Sequence, residues 1–516
     1  MGSTTNHYDL IVLGSDIAGL VAAALVARRG KRVLVVPHGP ADGRYPLGGR
    51  SLALDTAPVV HLGTPPVERV FSELGLWQQI RRRDTPLDSL VHLVLPEQRL
   101  DLTPAAANWS AEVAREWPKD PTQEAWSLRR RWGEATDAVL DELLSTEHAL
   151  VADGFRTRRF LTRVSGQLPG PDVDELEPLA GDHPLRRAAR AAEPWLVNLT
   201  PAQLGKAASL RLAGLWARGP HDTPDGMTYV RSALLQRVEL HSGEVKPDLR
   251  VAELQLKRGR VAGVSLLGKR DRYGCEHMII ATDPRRLADG VLAPQLVPKA
   301  MAMALAAIET VAFRYVLHLE IDERGLSPAL TGMVLAIPAV STDGVTPFSV
   351  SPESDAHGIG TTYVRLGQGS KDGIRQVSIT HIAAAGTDIT TLRDRVLDEL
   401  DVRGILPFCR RHIALMHSPH DGLPPCDGRG EPATALLASV GSTVTPETID
   451  VLHGAPSLGL GVLPHVSGIK NMHLAGRLTL PGLGLEGEFA AGTVAAGLVA
   501  PPAKSPFSRP GLLKRA

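Results

Sequence analysis

Apolar and polar positions first organise themselves over residues 8–36. YDLIVLG is a short apolar run with β-branched members, AGLVAAALVARRG is alanine-rich and long enough for about three helical turns, and KRVLVV is a second apolar run. Gly30 and Lys31 fall where a helix stops and the next strand begins. The pattern predicts strand, turn, helix, strand: a βαβ unit that opens a parallel sheet.

From about residue 66 to 220 the period changes to that of amphipathic helix, clearest in EAWSLRRRWGEATDAVLDELLSTEHALV. All seven tryptophans, Trp77 to Trp216, lie there, so this part reads as a separate helical insertion. Residues 226–290 return to α/β texture. GMTYVRSALLQRVELHSGEV predicts a helix leading into a strand, RVAELQLKRGRVAGVSLL a hairpin, and HMIIATDP a strand ending at a turn. A strictly alternating run follows, with Val311, Phe313, Tyr315, Leu317 and Leu319 on one face and Arg314, His318 and Glu320 on the other, as in a half-solvated antiparallel strand. GTTYVRLG and RQVSITHIAAA read as strands, TTLRDRVLDELDV as a charged helix, NMHLAG as a strand and LEGEFAAGTVAAGLVA as a small-residue helix.

Composition narrows the function classes. Of 516 residues, 43% are hydrophobic and 22% charged, and 56 Lys plus Arg balance 56 Asp plus Glu. Without net charge no global field gathers nucleic acid, and none is expected as a partner. Cys275, Cys409 and Cys426 are too few and too far apart for a disulfide framework or a Cys-x-x-Cys site, so they read as free thiols. MGSTTNHYDL lacks a basic region followed by an apolar one, and no apolar run approaches the ~18 residues of a membrane span. A cytoplasmic location is the expectation. Peripheral contact with an anionic membrane or partner rests on FRTRRFLTR, Phe155 to Arg163, although such a run is more often a solvated helix face.

His412, His417, His420 and Asp421 cluster in RRHIALMHSPHDG. His-x-x-His spacing serves metals, but with no matching ligands elsewhere the stretch reads as a surface loop after a helix, and no metal is expected. No G-x-S-x-G, P-loop or His-Glu-x-x-His is present, so no catalytic acid, base or nucleophile can be named.

Five blocks in chain order carry a resemblance: Gly14-Ser15-Asp16-x-x-Gly19 in the first turn; Gly48, Gly49 and Arg50 in LGGRSLAL; PDGMTYVRSALLQRVELHSGEV with Val245; HMIIATDP; and NMHLAGRLTLPGLGLEGEFAAG with Gly476, Arg477, Pro481, Gly482, Leu483 and Gly484. The chain resembles the FAD-dependent amine oxidase and phytoene desaturase superfamily, whose relatives include the Rab GDP-dissociation inhibitors. The resemblance implies a Rossmann-like FAD/NAD(P)-binding α/β domain of the GR2 type, assembled from residues 1–65, 226–295 and 465–500. It further implies a helical insertion and part of a substrate domain over 66–225, a mixed-sheet substrate or partner domain over 296–464, and a loose tail over 501–516. In such folds the first turn receives the pyrophosphate, the arginine of the Gly-Gly-Arg block supplies a cation near the phosphates, a valine like Val245 offers its backbone to adenine, and the C-terminal block lies along the ribityl chain and flavin. An aromatic content of 4% suits an apolar substrate tunnel better than an aromatic cage.

Three departures fall on the cofactor positions. Asp16 stands where the second glycine belongs, Pro37 and His38 stand where an acid usually receives the ribose hydroxyls, and Arg477 replaces the aspartate of the C-terminal block. The surviving glycines have a geometric reading independent of any ligand. An Arg477–Asp16 contact would fill the site from within. Two functions follow: a flavin-free or weak-flavin binding or accessory protein, taking an apolar small molecule or a protein partner, or an active FAD oxidoreductase moving hydride from an apolar or amine substrate to flavin.

Overall fold

The computed structural model describes residues 6–502 apart from 58–61, 84, 87–90, 103–105, 119–120, 146–158, 161, 165, 171, 219–220, 223–225, 269–271, 288–290, 329, 331, 343–347, 370–371, 453–459 and 461–462. The basic run over 155–163 and the tail thus lie largely outside the described residues.

The first sheet has seven strands. Its path runs Val251–Lys257, Arg260–Leu266, Arg272–Ile280, Asn6–Leu13, Val33–Val36, Glu244–Val245, with Met472–Leu474 also paired to Arg272–Ile280. Asn6–Leu13 is parallel to both of its neighbours, as the opening βαβ pattern requires. The hairpin from Val251 to Leu266 adds an antiparallel edge.

The helix Ile17–Arg28 between the first two strands is buried at every position from Ile17 to Ala27. It is apolar all round because it lies in the middle of a layer, packed by the helices Met227–Leu240 and Gly484–Val499. Close packing explains its glycines. A Cβ at Gly14, where φ is +102°, would stand 2.1 Å from the Ala281 carbonyl oxygen, and one at Gly19 would stand 2.0 Å from the Ala281 Cβ. Ala281 demands glycine at both positions, through its carbonyl at Gly14 and its methyl at Gly19.

The second sheet has eight strands, ordered Ile413–His417, Ile308–Asp322, Ile374–Ala384, Thr362–Gly369, Met333–Ala336, Val91–Val94, Arg99–Leu102, with Glu447–Leu452 also paired to the long strand. That long strand is the alternating run, but its polar face is not in solvent. His318 is 8% exposed, Glu320 is held by Arg50, and Arg314 faces a cavity. The hairpin Arg44–Leu47/Arg50–Ala53 lies over this face, with Arg50, Leu52 and Leu47 closing a pocket against His318 and Glu320. Polarity along the strand therefore marks internal partners rather than water.

The region after residue 65 is not wholly helical: Val91–Val94 and Arg99–Leu102 join the second sheet, and Thr85–Pro86 pairs with His221–Asp222. The helices Thr122–Leu144 and Lys206–Arg218 pack side by side. Arg211, 1% exposed, projects from the second of these and donates to Glu486 at 2.9 and 2.6 Å, to Asp141 at 2.7 Å and to Asp137. An ion cluster thus ties the insertion to the C-terminal helix. Cys275, Cys409 and Cys426 are buried free thiols, and burial pushes Cys275 up to about 12 and Cys409 to about 11. Among the described residues, no helix is long and apolar enough to cross a membrane.

Candidate functional site

In a parallel sheet the loops after the strands converge at one edge, where ligands of such folds bind. Here Ser15 and Asp16 follow the first strand, His38 the second, Asp248 and Arg250 the short strand Glu244–Val245, Thr282, Asp283 and Arg286 the strand Arg272–Ile280, and Arg477 the strand Met472–Leu474. All line one cavity of about 660 Å³. Its far wall comes from the second sheet and the insertion: Arg314, Val316, Tyr363, Thr380, His420 and Trp195. The Trp195 and Tyr363 rings lie 5.8 Å apart, an aromatic wall that the low aromatic content did not suggest.

Asp16 caps the first helix by position but not by bonding, for its side chain makes no capping hydrogen bond. Its Oδ2 instead accepts from the backbone N–H of Arg477 at 3.2 Å. Arg477 and Asp16 thus touch, but through the Arg477 backbone and not through side chains filling the site. The guanidinium turns away: Nη1 pairs with Glu447 at 2.7 Å and Nη2 donates to Thr448 Oγ1 at 2.7 Å. Glu447 also takes Arg314 at 2.6 Å, and these two cations with Arg231 hold its carboxyl down at about 2 against the pull of burial. Arg231 donates to the Ser15 carbonyl, closing the ring of charges round the first turn.

Sequence reasoning missed Glu488. Its Oε2 accepts from the Ala18 N–H at 3.2 Å, one of the orphan donors at the N-terminus of the first helix. Glu486 and Glu488 are the only charges in an otherwise small and apolar helix, which was the available signal. Two residues apart, they face different ways, Glu486 toward Arg211 and Glu488 toward the first turn. Burial, then the neighbouring Asp16 charge, raises Glu488 to about 8, and burial raises Asp16 and Asp55 as well.

A raised carboxyl holds a proton in the folded state that the unfolded chain releases above its ordinary value of 4.5, so stability falls as pH rises through the folded value. Above pH 7 the buried, depressed histidines His318, His417 and His420 are neutral both folded and unfolded and drop out. Between pH 7 and 9 stability should therefore fall by about 1 kcal/mol from Glu488, read as a lower melting temperature, and Glu488→Gln should remove that share of the slope, leaving the part from the raised thiols of Cys275 and Cys409. An unchanged slope in the variant would dissociate the proton from Glu488.

The other predicted positions divide. His38 lines the cavity with Nδ1 3.4 Å from Thr282 Oγ1; burial, then Arg286 and Arg250, lower its pKa. Pro37 is buried beside it. Val245 packs partly buried against the core, and its successor Lys246 donates to Val35. Gly48, Gly49 and Arg50 are not brought to the cavity. Gly48 and Gly49 form the turn of the hairpin, and Arg50 pairs with Glu320 at 3.0 Å beside a separate pocket of about 20 Å³. Gly476 packs on Asp16, whose Oδ2 would lie 2.7 Å from any Cβ there. Pro481, Gly482 and Leu483 form a buried turn, and Gly484, with φ +52°, leaves only 1.7 Å between a Cβ and the Leu196 carbonyl oxygen.

The histidine stretch is not a surface loop. His417, His420 and Asp421 are 2%, 7% and 7% exposed, because Asp421 anchors the segment inward through Arg393 at 2.9 Å and Tyr315 at 2.9 Å. His417 stacks near Tyr45 at 5.3 Å, His420 lines the cavity, and His412 packs against Gly325. Among the described residues, no group of three or more His, Cys, Asp or Glu is placed to hold a metal.

No family model and no curated protein matches the sequence. Solved structures do match the fold. An oxidoreductase from Methanosarcina mazei is similar with a TM-score of 0.53 at 14% identity, over 94% of this chain and 99% of that one. Cyclohexylamine oxidase from Brevibacterium oxydans IH-35A gives 0.52 at 16%, over 96% and 98%. Putrescine oxidase bound to putrescine gives 0.52 at 13%, over 96% and 99%. The chain thus shares its overall fold with these oxidases, in line with the resemblance read from the sequence.

Proposed function

We propose that the protein is a small-molecule-binding or accessory protein on an oxidase scaffold, with flavin binding lost or greatly weakened. The observation that carries this reading is the Glu488 carboxyl group, whose Oε2 accepts from the Ala18 N–H. A dinucleotide needs the N-terminus of this helix for its pyrophosphate, because unsatisfied N–H groups and the helix dipole favour an anion there. In this chain a side-chain carboxyl already takes one of those donors, and Asp16 stands at the same turn with a second. The ribose end offers His38 rather than an acid, and Arg477 spends its guanidinium on Glu447. These residues do not fit FAD.

An absorbance spectrum of the purified protein tests the proposal. It should show no flavin bands and stay colourless after reconstitution with excess FAD. Flavin bands, with FAD released on denaturation, would overturn it. One observation favours the second reading, an active flavoenzyme: a single cavity of about 660 Å³ is lined both by His38 at the strand ends and by Trp195 and Tyr363 on the far wall. The same spectrum separates the two.

A further inference from the structure

The geometry points to a relocated anion site: His38, Arg250 and Arg286 at the cavity rim hold the phosphate of a phosphate-bearing organic ligand, whose remainder lies inward against Trp195 and His420. This rests on the flavin-free reading, since a dinucleotide would occupy the same space.

Three features support it. First, the three cationic or polar side chains come from loops after three different strands yet border one rim. Arg250 and Arg286 are exposed there, while the acid Asp283 on the same wall is already bound by its neighbour Arg285 at 2.9 Å; Asp248 is the other acid at this rim. Guanidinium groups bind phosphate oxygens directly, needing no helix terminus. Second, the helix N-terminus that would otherwise hold phosphate is taken by Glu488. Third, two buried ring atoms of residues on the inner wall have no partner among the described residues. Trp195, 8% exposed, has an indole N–H with no acceptor. In His420, 7% exposed, Nδ1 lies 2.8 Å from the Val444 carbonyl oxygen, which can only accept, so Nδ1 carries the proton and Nε2 presents an unused lone pair. Buried polar atoms without partners are rare in native structures, and both belong to residues that line this cavity.

Calorimetric titration of the full chain with inorganic pyrophosphate and with phenyl phosphate, at low and high salt, tests this. Both should bind, and salt should weaken both. Arg250→Ala with Arg286→Ala, at exposed positions that leave the fold intact, should weaken both by roughly tenfold or more. Trp195→Leu, which removes the aromatic face beside the phenyl group, should weaken phenyl phosphate by roughly threefold to tenfold and leave pyrophosphate unchanged. Binding of neither probe, or full affinity in the double arginine variant, would overturn the rim site. Binding of pyrophosphate alone would overturn the organic half and identify a free polyphosphate as the ligand. A colourless protein that ignores both probes fails here only, whereas flavin bands in the spectrum refute the flavin-free reading itself.

Discussion

On the flavin-free reading proposed above, Asp16→Gly combined with Glu488→Ala should create measurable FAD binding. The double variant removes both carboxyls from the first turn and frees the Ala18 N–H that Glu488 now occupies. Two unit charges about 4 Å apart repel by roughly 4 kcal/mol at an effective dielectric of 20, a thousandfold in affinity for each full charge, although protonation of Glu488 near pH 8 lowers its share. Flavin fluorescence quenching on titration with FAD reads the change directly. Affinity no better than that of the unaltered chain would show that the ribose end or Arg477, rather than the first turn, excludes the cofactor. Arg477→Asp is the poorer substitution. Its guanidinium neutralises Glu447 and lies near Asp450, so an aspartate there would set carboxylates together and loosen the whole wall.

Arg211→Met should be the most destabilising single change in the described structure. Arg211 is 1% exposed and Glu486 is fully buried, so removing the cation strands the Glu486 carboxyl in a dry interior, while Asp137 and Asp141 keep Arg218. Breaking a buried pair from one side costs about 3–5 kcal/mol. Urea denaturation should show that loss, and Arg211→Met with Glu486→Leu should recover most of it, because an apolar pair of similar volume removes the stranded charge. If the double variant is no more stable than the single one, the cluster holds the helices by geometry that methionine and leucine cannot reproduce.

Much of the framework was legible along the chain. The βαβ unit, the hairpin from Val251 and the long strand from Ile308 announce themselves by period, since burial of one face or all faces writes itself into local spacing. The first-turn glycines were legible too, and the structure gives their reason: Ala281 packs against both. The site was legible only in part. Asp16, His38 and Arg477 reach the cavity as read, but Arg50 does not, because the hairpin carrying it folds over the second sheet and finds Glu320.

What a sequence determines alone is what depends on neighbours a few residues away: helix and strand period, turn glycines, and the presence of a carboxylate where a dinucleotide turn has none. Only the tertiary structure decided which of those side chains meet. Glu488 lies 470 residues from Ala18, Arg211 lies 275 from Glu486, and the polar face of the long strand turned inward once a distant hairpin covered it. No local spacing encodes such contacts. They arise because burial leaves a charge or an unpaired N–H no water, and the chain supplies a partner from wherever the fold brings one.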